Sequence, residues 1–147
     1  MAKNGGVHMD AQDIVLLAPT TITTAVTAAV STPVKFLAGM MYVVATMVFV
    51  YGSGGTNATG WVQTSVDGGL SWIDIIALQA TTASISKVSA VNGYIAPAAQ
   101  AATYTDGTLT QGTIIQGILG NQLRLKYTTT GTYGGSTSLA FYAVAKG

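Results

Sequence analysis

The side chains that could perform catalysis are few in this sequence and widely spaced. The 147 residues include five aspartates, no glutamate, no cysteine, one histidine and one arginine. The acidic positions are Asp10, Asp13, Asp67, Asp74 and Asp106. A glycosidase needs two carboxylates about 5–10 Å apart in a cleft, whereas the surroundings of Asp67 and Asp106 are typical of turns. Asp74 follows Trp72 by two positions, so both lie on one strand face, which could hold a ligand, although a solvated aspartate beside a tryptophan is commoner.

No other group of residues meets the requirements of an enzyme. His8 lies in a stretch typical of a flexible arm, where no third group would fix it for nucleophilic catalysis or help it to bind a metal. The glycine cluster at 52–55 lacks the lysine and the helix of a phosphate-binding loop. Only Arg124 and Lys126 share a strand face among six basic residues, which gives little support to nucleic-acid binding. We therefore expect no catalytic residues, no cofactor and no metal, and we predict that the chain is not an enzyme.

The sharpest local motif predicts a tight β-hairpin. Residues 65–72 are Ser-Val-Asp-Gly-Gly-Leu-Ser-Trp, which fit the pattern S-x-D-x-G-x-[ST]-W. In such a turn the aspartate accepts hydrogen bonds from backbone N–H groups, and the glycines supply positive φ. The pattern resembles the Asp-box of sialidases and other β-propeller proteins, but a sialidase site also needs an arginine cluster, a glutamate and a tyrosine nucleophile. We interpret six residues as a structural hairpin without activity: Ser65, Asp67, Gly68, Gly69, Ser71 and Trp72.

The elements that must position these residues are predicted to be strands. Apolar runs separated by Gly, Pro and Asn clusters recur along the chain, and no segment shows a convincing helical period. The predicted strands are Asp13–Ala18, Thr21–Ala28, Val34–Ala38, Met41–Tyr51, Gly60–Val66, Ser71–Gln79, Ile85–Val91, Thr113–Leu119, Gln122–Thr128 and Ser138–Ala145. Residues 93–112 predict a long loop that contacts a neighbour or a ligand. We expect an all-β fold, a single-domain β-sandwich or jelly-roll-like barrel over 13–147, preceded by a flexible N-terminal arm over 1–12.

Two stretches carry the clearest patterning. In 122–128, Leu123, Leu125 and Tyr127 are expected to face one side of a strand, with Arg124 and Lys126 on the other. The uncharged run 36–51 is 16 residues long, short of the about 20 that a membrane-spanning helix needs. Its Val, Tyr, Phe and Thr content suits a strand, so we predict a buried strand, or two short ones, and no membrane segment.

Charged residues make up only 7% of the chain, against about 25% in an ordinary domain. The formal net charge is +1, and a charge near zero favours association. We interpret the surface as one that lies against other protein copies. The alternative is a secreted or thermally robust domain with a threonine-rich polar face. Possible interface residues are Lys3 and His8 in the arm and the pair Arg124 and Lys126. For Arg124 and Lys126 the alternative is that they simply lie on an exposed strand face.

Two segments resemble small structural proteins of tailed bacteriophages: GWVQTSVDGGLSWIDI (Gly60–Ile75) and LRLKYTTTGTYGGSTSLAFYAVAKG (Leu123–Gly147). They lie in roughly the C-terminal three-fifths of the chain. The resemblance implies a virion protein of the head decoration or cement type on the capsid surface. It also implies a homotrimer or another symmetric cluster, with the major capsid protein as partner. We expect Lys3–Gln12 to become ordered on a neighbouring subunit.

Two other functions stay open at the level of sequence. A tail or baseplate component would have the same composition. A carbohydrate-binding β-module is suggested by Trp61, Trp72 and Asp74, because aromatic side chains stack on sugars, although such a pair beside a hairpin is more often part of a core.

Overall fold

The fold is a β-sandwich, as the spacing of strands and turns predicts. A computed structural model describes residues 9–96 and 104–147, and no helix occurs in those ranges. The strands are β1 (Gln12–Thr21), β2 (Val26–Val30), β3 (Tyr42–Val50), β4 (Ser53–Gly54), β5 (Asn57–Ser65), β6 (Ile73–Ala80), β7 (Ile85–Asn92), β8 (Gln122–Thr130), β9 (Tyr133–Gly134) and β10 (Ser138–Lys146). The first sheet has the order β1-β10-β3-β7, the second β2-β8-β5-β6, and β4 pairs with β9. All pairings between these strands are antiparallel.

The uncharged run is the central part of the first sheet. Its main strand, β3, pairs with β10 without interruption from Val50↔Ser138 to Tyr42↔Lys146. Alternate residues of β3 point into the sandwich and are buried, among them Met47 and Phe49. The predicted buried strand is therefore confirmed. The described residues include no helix that is long and apolar enough to cross a membrane.

One hydrophobic core lies between the two sheets. The first sheet contributes Phe49 and Phe141, and the second contributes Leu123 and Leu125, all at most 1% exposed. The alternation predicted for 122–127 is confirmed, since the two leucines point inward and Arg124 and Lys126 lie on the opposite face. The sheets approach closely at Gly60, where an added Cβ would lie 2.2 Å from the Phe141 ring.

Two predicted strands are wrong. Val34–Ala38 forms only a single bridge, from Val34 to Leu123, and Thr113–Leu119 forms one from Ile114 to Ile76. In the first segment the left-handed backbone of Phe36, with φ of 64°, interrupts the extended chain. In the second, Gly112 and Gly117 also have positive φ and bend the chain at both ends.

The arm predicted over 1–12 is shorter on its C-terminal side. Met9 is buried in the core, its carbonyl accepts a hydrogen bond from the Gly147 N–H, and Gln12 begins β1. Residues 9–12 therefore belong to the folded body, because the register of β1 with β10 extends to Gln12↔Ala145. Residues 1–8, with Lys3 and His8, lie outside the described residues, as do 97–103 of the predicted long loop.

Candidate functional site

The hairpin between β5 and β6 is held by hydrogen bonds among its own residues. The Ser65 hydroxyl donates to Asp67 Oδ1 (2.9 Å) and accepts from the Gly69 N–H (2.8 Å). Asp67 Oδ1 also accepts from the Ser71 N–H at 2.8 Å. This bond is the main reason why the pKa of the Asp67 carboxyl lies below its ordinary value. Gly68 and Gly69 adopt φ of 76° and 94°, a region that an L side chain disfavours. The Ser65 hydroxyl and the Asp67 carboxylate are thus both used inside the turn, which makes the turn an architectural unit.

Four charged side chains gather on the outer face of the second sheet, the face turned away from the core. The strand register places Gln63 of β5 between Asp74 of β6 and Arg124 of β8. In the neighbouring cross-strand row on the same face, Trp61 of β5 lies opposite Lys126 of β8. Asp106 comes from the long loop that crosses this face. We call these residues, together with Trp72, the charge cluster.

Asp74 is the anchor of the charge cluster, and the expectation of a solvated carboxylate is wrong. Its side chain is 0% exposed. The carboxylate accepts hydrogen bonds from the backbone N–H groups of Gly107 (2.9 Å), Thr108 (3.0 Å) and Leu109 (3.1 Å). The Gln63 amide donates a fourth, at 2.7 Å to Oδ1. A buried carboxylate needs such donors to offset the loss of water, so Asp74 fastens the loop to the sheet and is closed to a substrate.

Gln63 connects the two carboxylates of the cluster. Its Nε2 donates to Asp74 Oδ1 and also to Asp106 Oδ1, each at 2.7 Å. Its Oε1 accepts from Arg124 Nε, also at 2.7 Å. Both ends of this fully buried amide are therefore used. Nothing in the sequence pattern singled out Gln63, because only the β5–β6 and β5–β8 register brings it between these partners.

Arg124 and Lys126 find their anionic partner within the chain. Lys126 Nζ lies 3.0 Å from Asp106 Oδ1, and Arg124 Nη2 lies 3.4 Å from the same oxygen. The Arg124 guanidinium also lies over the Trp72 ring, 4.4 Å from its centroid, a favourable cation–π geometry. Partial burial opposes ionisation of Asp106. The Gln63 and Lys126 hydrogen bonds and the two cations outweigh this effect, so the pKa of Asp106 lies below its ordinary value.

The long loop also protects the outer edge of β6. From β6, the Asp74 N–H donates to the Thr105 carbonyl and the Ala77 N–H donates to the Thr113 carbonyl. From the loop, the Ile115 N–H donates to the Ile75 carbonyl. On the outer face, the Trp61 indole N–H donates to the Leu109 carbonyl at 2.9 Å. An unprotected edge strand is a template for pairing with other chains. The described part of the loop therefore protects the edge of β6 and covers the outer face around Asp74, Gln63 and Trp61.

The chemistry that this arrangement permits is limited. The cluster joins two carboxylates to two cations, so its formal charge is zero. Asp74 has no exposed surface, and the lowered pKa of Asp106 keeps it ionised near neutral pH, where it could not act as a general acid. No group of three or more metal-ligating side chains occurs in the described ranges, 9–96 and 104–147.

No protein-family model, curated protein or solved structure matches this chain.

The outer face of the first sheet is open, and the strand register places two charged side chains on it, Asp13 and Lys146. A cross-strand row on this face runs Val15, Tyr142, Thr46 and Val88, and Val15 and Val88 are mostly exposed. The face contains a cavity of about 300 Å³ lined mainly by Val15, Val44, Thr46, Tyr142 and Val144. We call it the sheet-face cavity. Its lining offers mostly apolar contact, together with the carboxylate of Asp13 and the hydroxyls of Thr46 and Tyr142.

Large apolar side chains are also exposed outside the first sheet. Phe36 is 91% and Leu70 is 88% exposed, and Val66 and Tyr94 are at least half exposed. Nothing in the sequence pattern singles out Phe36 and Leu70, because their exposure depends on how the loops are anchored.

Proposed function

We propose that this chain is a structural protein of a tailed-bacteriophage virion, and that it decorates the capsid surface as a homotrimer or another symmetric cluster. In this role it bridges neighbouring capsomers by contact with the major capsid protein. It performs no reaction and needs no cofactor. The stabilisation of the shell comes from many copies, each of which adds buried surface.

The observation that carries this proposal is the contrast between the two outer faces. On the second sheet, the chain's own loop covers the outer face around Asp74 and Gln63, and the neutral charge cluster holds this loop in place. The first sheet leaves open a face with mostly exposed valines, on which the strand register also places the charged side chains of Asp13 and Lys146. Contiguous apolar surface of this kind is typical of interaction sites. It agrees with the low charge of the whole chain and with the likeness of two segments to phage virion proteins.

The N-terminal residues extend the proposal. Met9 is fixed in the core beside Gly147, so any contact made by the arm belongs to residues 1–8. We propose that Lys3 and His8 contact a neighbouring capsid subunit. Deletion of residues 1–8 should weaken binding of the chain to capsids, and unchanged affinity would contradict this part.

A carbohydrate-binding role is less well supported. Trp72 is 7% exposed and Arg124 covers its ring, while Asp74 has all its surface buried. Neither residue offers a sugar an open platform. Trp61 remains partly exposed, and binding to a glycan array that disappears in Trp61→Ala would favour this role.

The deciding experiment is performed on purified virions of the phage whose genome encodes the chain. Mass spectrometry should detect the protein in many copies, and immunogold labelling should place it on the head. Heads that lack the protein should also disrupt at a lower temperature. Label on the tail or baseplate would favour the tail alternative, and absence from the virion would overturn the proposal.

A further inference from the structure

We propose that the outer edge of β7 is a docking site for an extended segment of another protein. The segment adds to the first sheet as a fifth strand and places an acidic side chain beside Lys87. This site is additional to the proposed capsid contact and does not depend on it. The proposal rests on unused backbone groups along β7 and on a partly buried cation that no described carboxylate neutralises.

The edge strand β7 is regular, unlike the other edge strands of the two sheets. It pairs with β3 from Ile85↔Phe49 to Asn92↔Tyr42 without a register shift. The edge of β6 is protected by the long loop. Both β1 and β2 pair with register shifts, and β1 also contains Pro19, which has no N–H to offer. A regular edge strand is a template for strand addition.

Hydrogen bonds at the end of β7 show which of its backbone groups face outward. The Gly93 N–H donates to the Met41 carbonyl, on the side of β3, whereas the Asn92 N–H donates to the Gln116 side chain, on the other side. This direction alternates from residue to residue along an antiparallel strand. The remaining outward N–H and C=O groups have no hydrogen bond to a described residue. They belong to the exposed residues Ser86, Val88 and Ala90.

Lys87 supplies the charge of the site. Its side chain turns toward the second sheet, as does that of the buried Val91. Its Nζ donates to the Gln79 carbonyl of β6 at 2.6 Å. The salt bridges of the described residues do not include Lys87. An ammonium has three N–H donors, so two remain for a ligand, and a carboxylate is the acceptor that bonds to them most strongly.

A cavity lies beside this ammonium. Its volume is about 220 Å³, enough for one side chain. We call it the β7 notch, and its lining consists of residues 79–81, Ala83, Ile85, Lys87 and Gln111. It shares no residue with the sheet-face cavity. The Gln111 amide and the Thr81 hydroxyl are further hydrogen-bond donors, and the lining contains no carboxylate. The β7 notch therefore complements an acidic side chain in charge and in size.

Strand geometry brings the two features together. A strand that bonds to the outward groups of Val88 and its neighbours has one residue directly opposite Lys87. Because this pair lies between the hydrogen-bonded pairs, its Cα atoms are about 4.5 Å apart and its side chains are close. The side chain opposite Lys87 faces the second sheet and therefore the β7 notch, whereas its two neighbours in the added strand lie on the outer face beside Ser86 and Val88. The recognised segment is thus an acidic residue flanked by strand-forming residues such as valine.

The test measures binding of two fluorescein-labelled peptides, TTVEVTT and TTVQVTT, by fluorescence anisotropy. Lys87→Gln removes the cation. Val88→Pro removes one outward N–H without breaking a bond to β3, because proline is tolerated on edge strands. Val88→Thr is the matched control, since it keeps this N–H. Lys35→Gln, at an exposed position outside β7, is the control for loss of a positive charge.

The wild type and both controls should bind the glutamate peptide about fivefold more tightly than the glutamine peptide, as expected for one cross-strand ion pair. Lys87→Gln should bind the two peptides equally. Val88→Pro should weaken the binding of both by about tenfold or more, because the added strand loses a hydrogen bond. Circular dichroism and cooperative unfolding check the fold, and Ala90→Pro replaces Val88→Pro if that variant does not fold.

Three results would overturn the inference: no binding of the glutamate peptide to the wild type at about 1 mM, a preference for glutamate that persists in Lys87→Gln, or unchanged affinity of Val88→Pro. Self-association of Lys87→Gln without peptide binding by the wild type, seen by sedimentation velocity, would also overturn it. In that case Lys87 keeps the edge unpaired and recognises no partner. The assay contains no virion component, so its failure leaves the virion location to be judged by labelling of virions.

Discussion

The Gly107 N–H donates to both carboxylate oxygens of Asp74, at 2.9 Å to each. This position favours glycine, because its φ is 80° and because the Cβ of any other residue would lie 3.0 Å from the Lys126 side chain. A loop glycine and a strand aspartate that are 33 residues apart in sequence are therefore the point at which the long loop is fixed. Asp74 is therefore an architectural residue, and its substitution should change the free energy of unfolding.

We expect Asp74→Asn to lower the free energy of unfolding by about 2–4 kcal/mol, the usual cost of breaking a buried, charge-assisted network. The amide that replaces one oxygen would face N–H donors that then have no acceptor. Urea unfolding followed by tryptophan fluorescence measures the effect. Asp13→Asn, at an exposed position of β1, is the control and should change stability by less than about 0.5 kcal/mol. Equal effects of the two variants would contradict the anchoring role.

The ion pairs of Asp106 predict a dependence of stability on pH. The folded-state pKa of Asp106 lies below its ordinary value of 3.8. Its stabilising contribution is therefore complete above that value and is lost as the pH falls through the folded-state pKa. At pH 7, Asp106→Asn should be less stable than wild type by about 0.5–1 kcal/mol, since the carboxylate is half exposed.

The difference between these two proteins should shrink as the pH falls below 3.8 and the wild-type carboxyl becomes protonated. Urea midpoints measured across pH 2–7 test this expectation. A difference that is constant over the whole range would show that the charge of Asp106 contributes nothing.

Gly120 lies where two loops meet. A Cβ at this position would be 1.6 Å from the Ser65 carbonyl oxygen, which belongs to the backbone and cannot rotate away. Gly120→Ala should therefore cost about 3 kcal/mol or more, at the upper end of overpacking effects. Gly68→Ala is the comparison, because Gly68 has a φ of 76° and no atom within 4 Å. It should cost only about 1 kcal/mol, from backbone strain. Thermal unfolding of both variants distinguishes steric from conformational causes.

Ser65 ties the hairpin together from a fully buried position. We expect Ser65→Ala to destabilise the protein by about 1–2 kcal/mol, because the Gly69 N–H loses its acceptor. Ser86→Ala, at an exposed position of β7, should be close to neutral. Hydrogen exchange provides a local readout: the Gly69 amide should lose protection in Ser65→Ala and keep it in Ser86→Ala.

Prediction from sequence succeeds where local pattern decides the outcome. The alternation in β8 places Leu123 and Leu125 in the core, and the valine-rich run becomes β3, because each pattern matches the period of a strand with one buried face. It fails for Val34–Ala38, because a single left-handed residue, Phe36, cannot be recognised from composition. The burial of Asp74 was missed for a related reason, since its three backbone donors come from a distant loop.

The amino-acid sequence by itself determines that this protein is an all-β chain with a tight hairpin at Asp67. It also determines that the chain has far fewer charged side chains than an ordinary domain. These properties depend on residue type and on spacing over a few positions. The tertiary structure alone decides that Gln63 joins Asp74 to Asp106, that the long loop covers part of one sheet face, and that Phe36 and Leu70 are exposed. The physical reason is that strand register and loop docking are set by contacts between residues far apart in the chain.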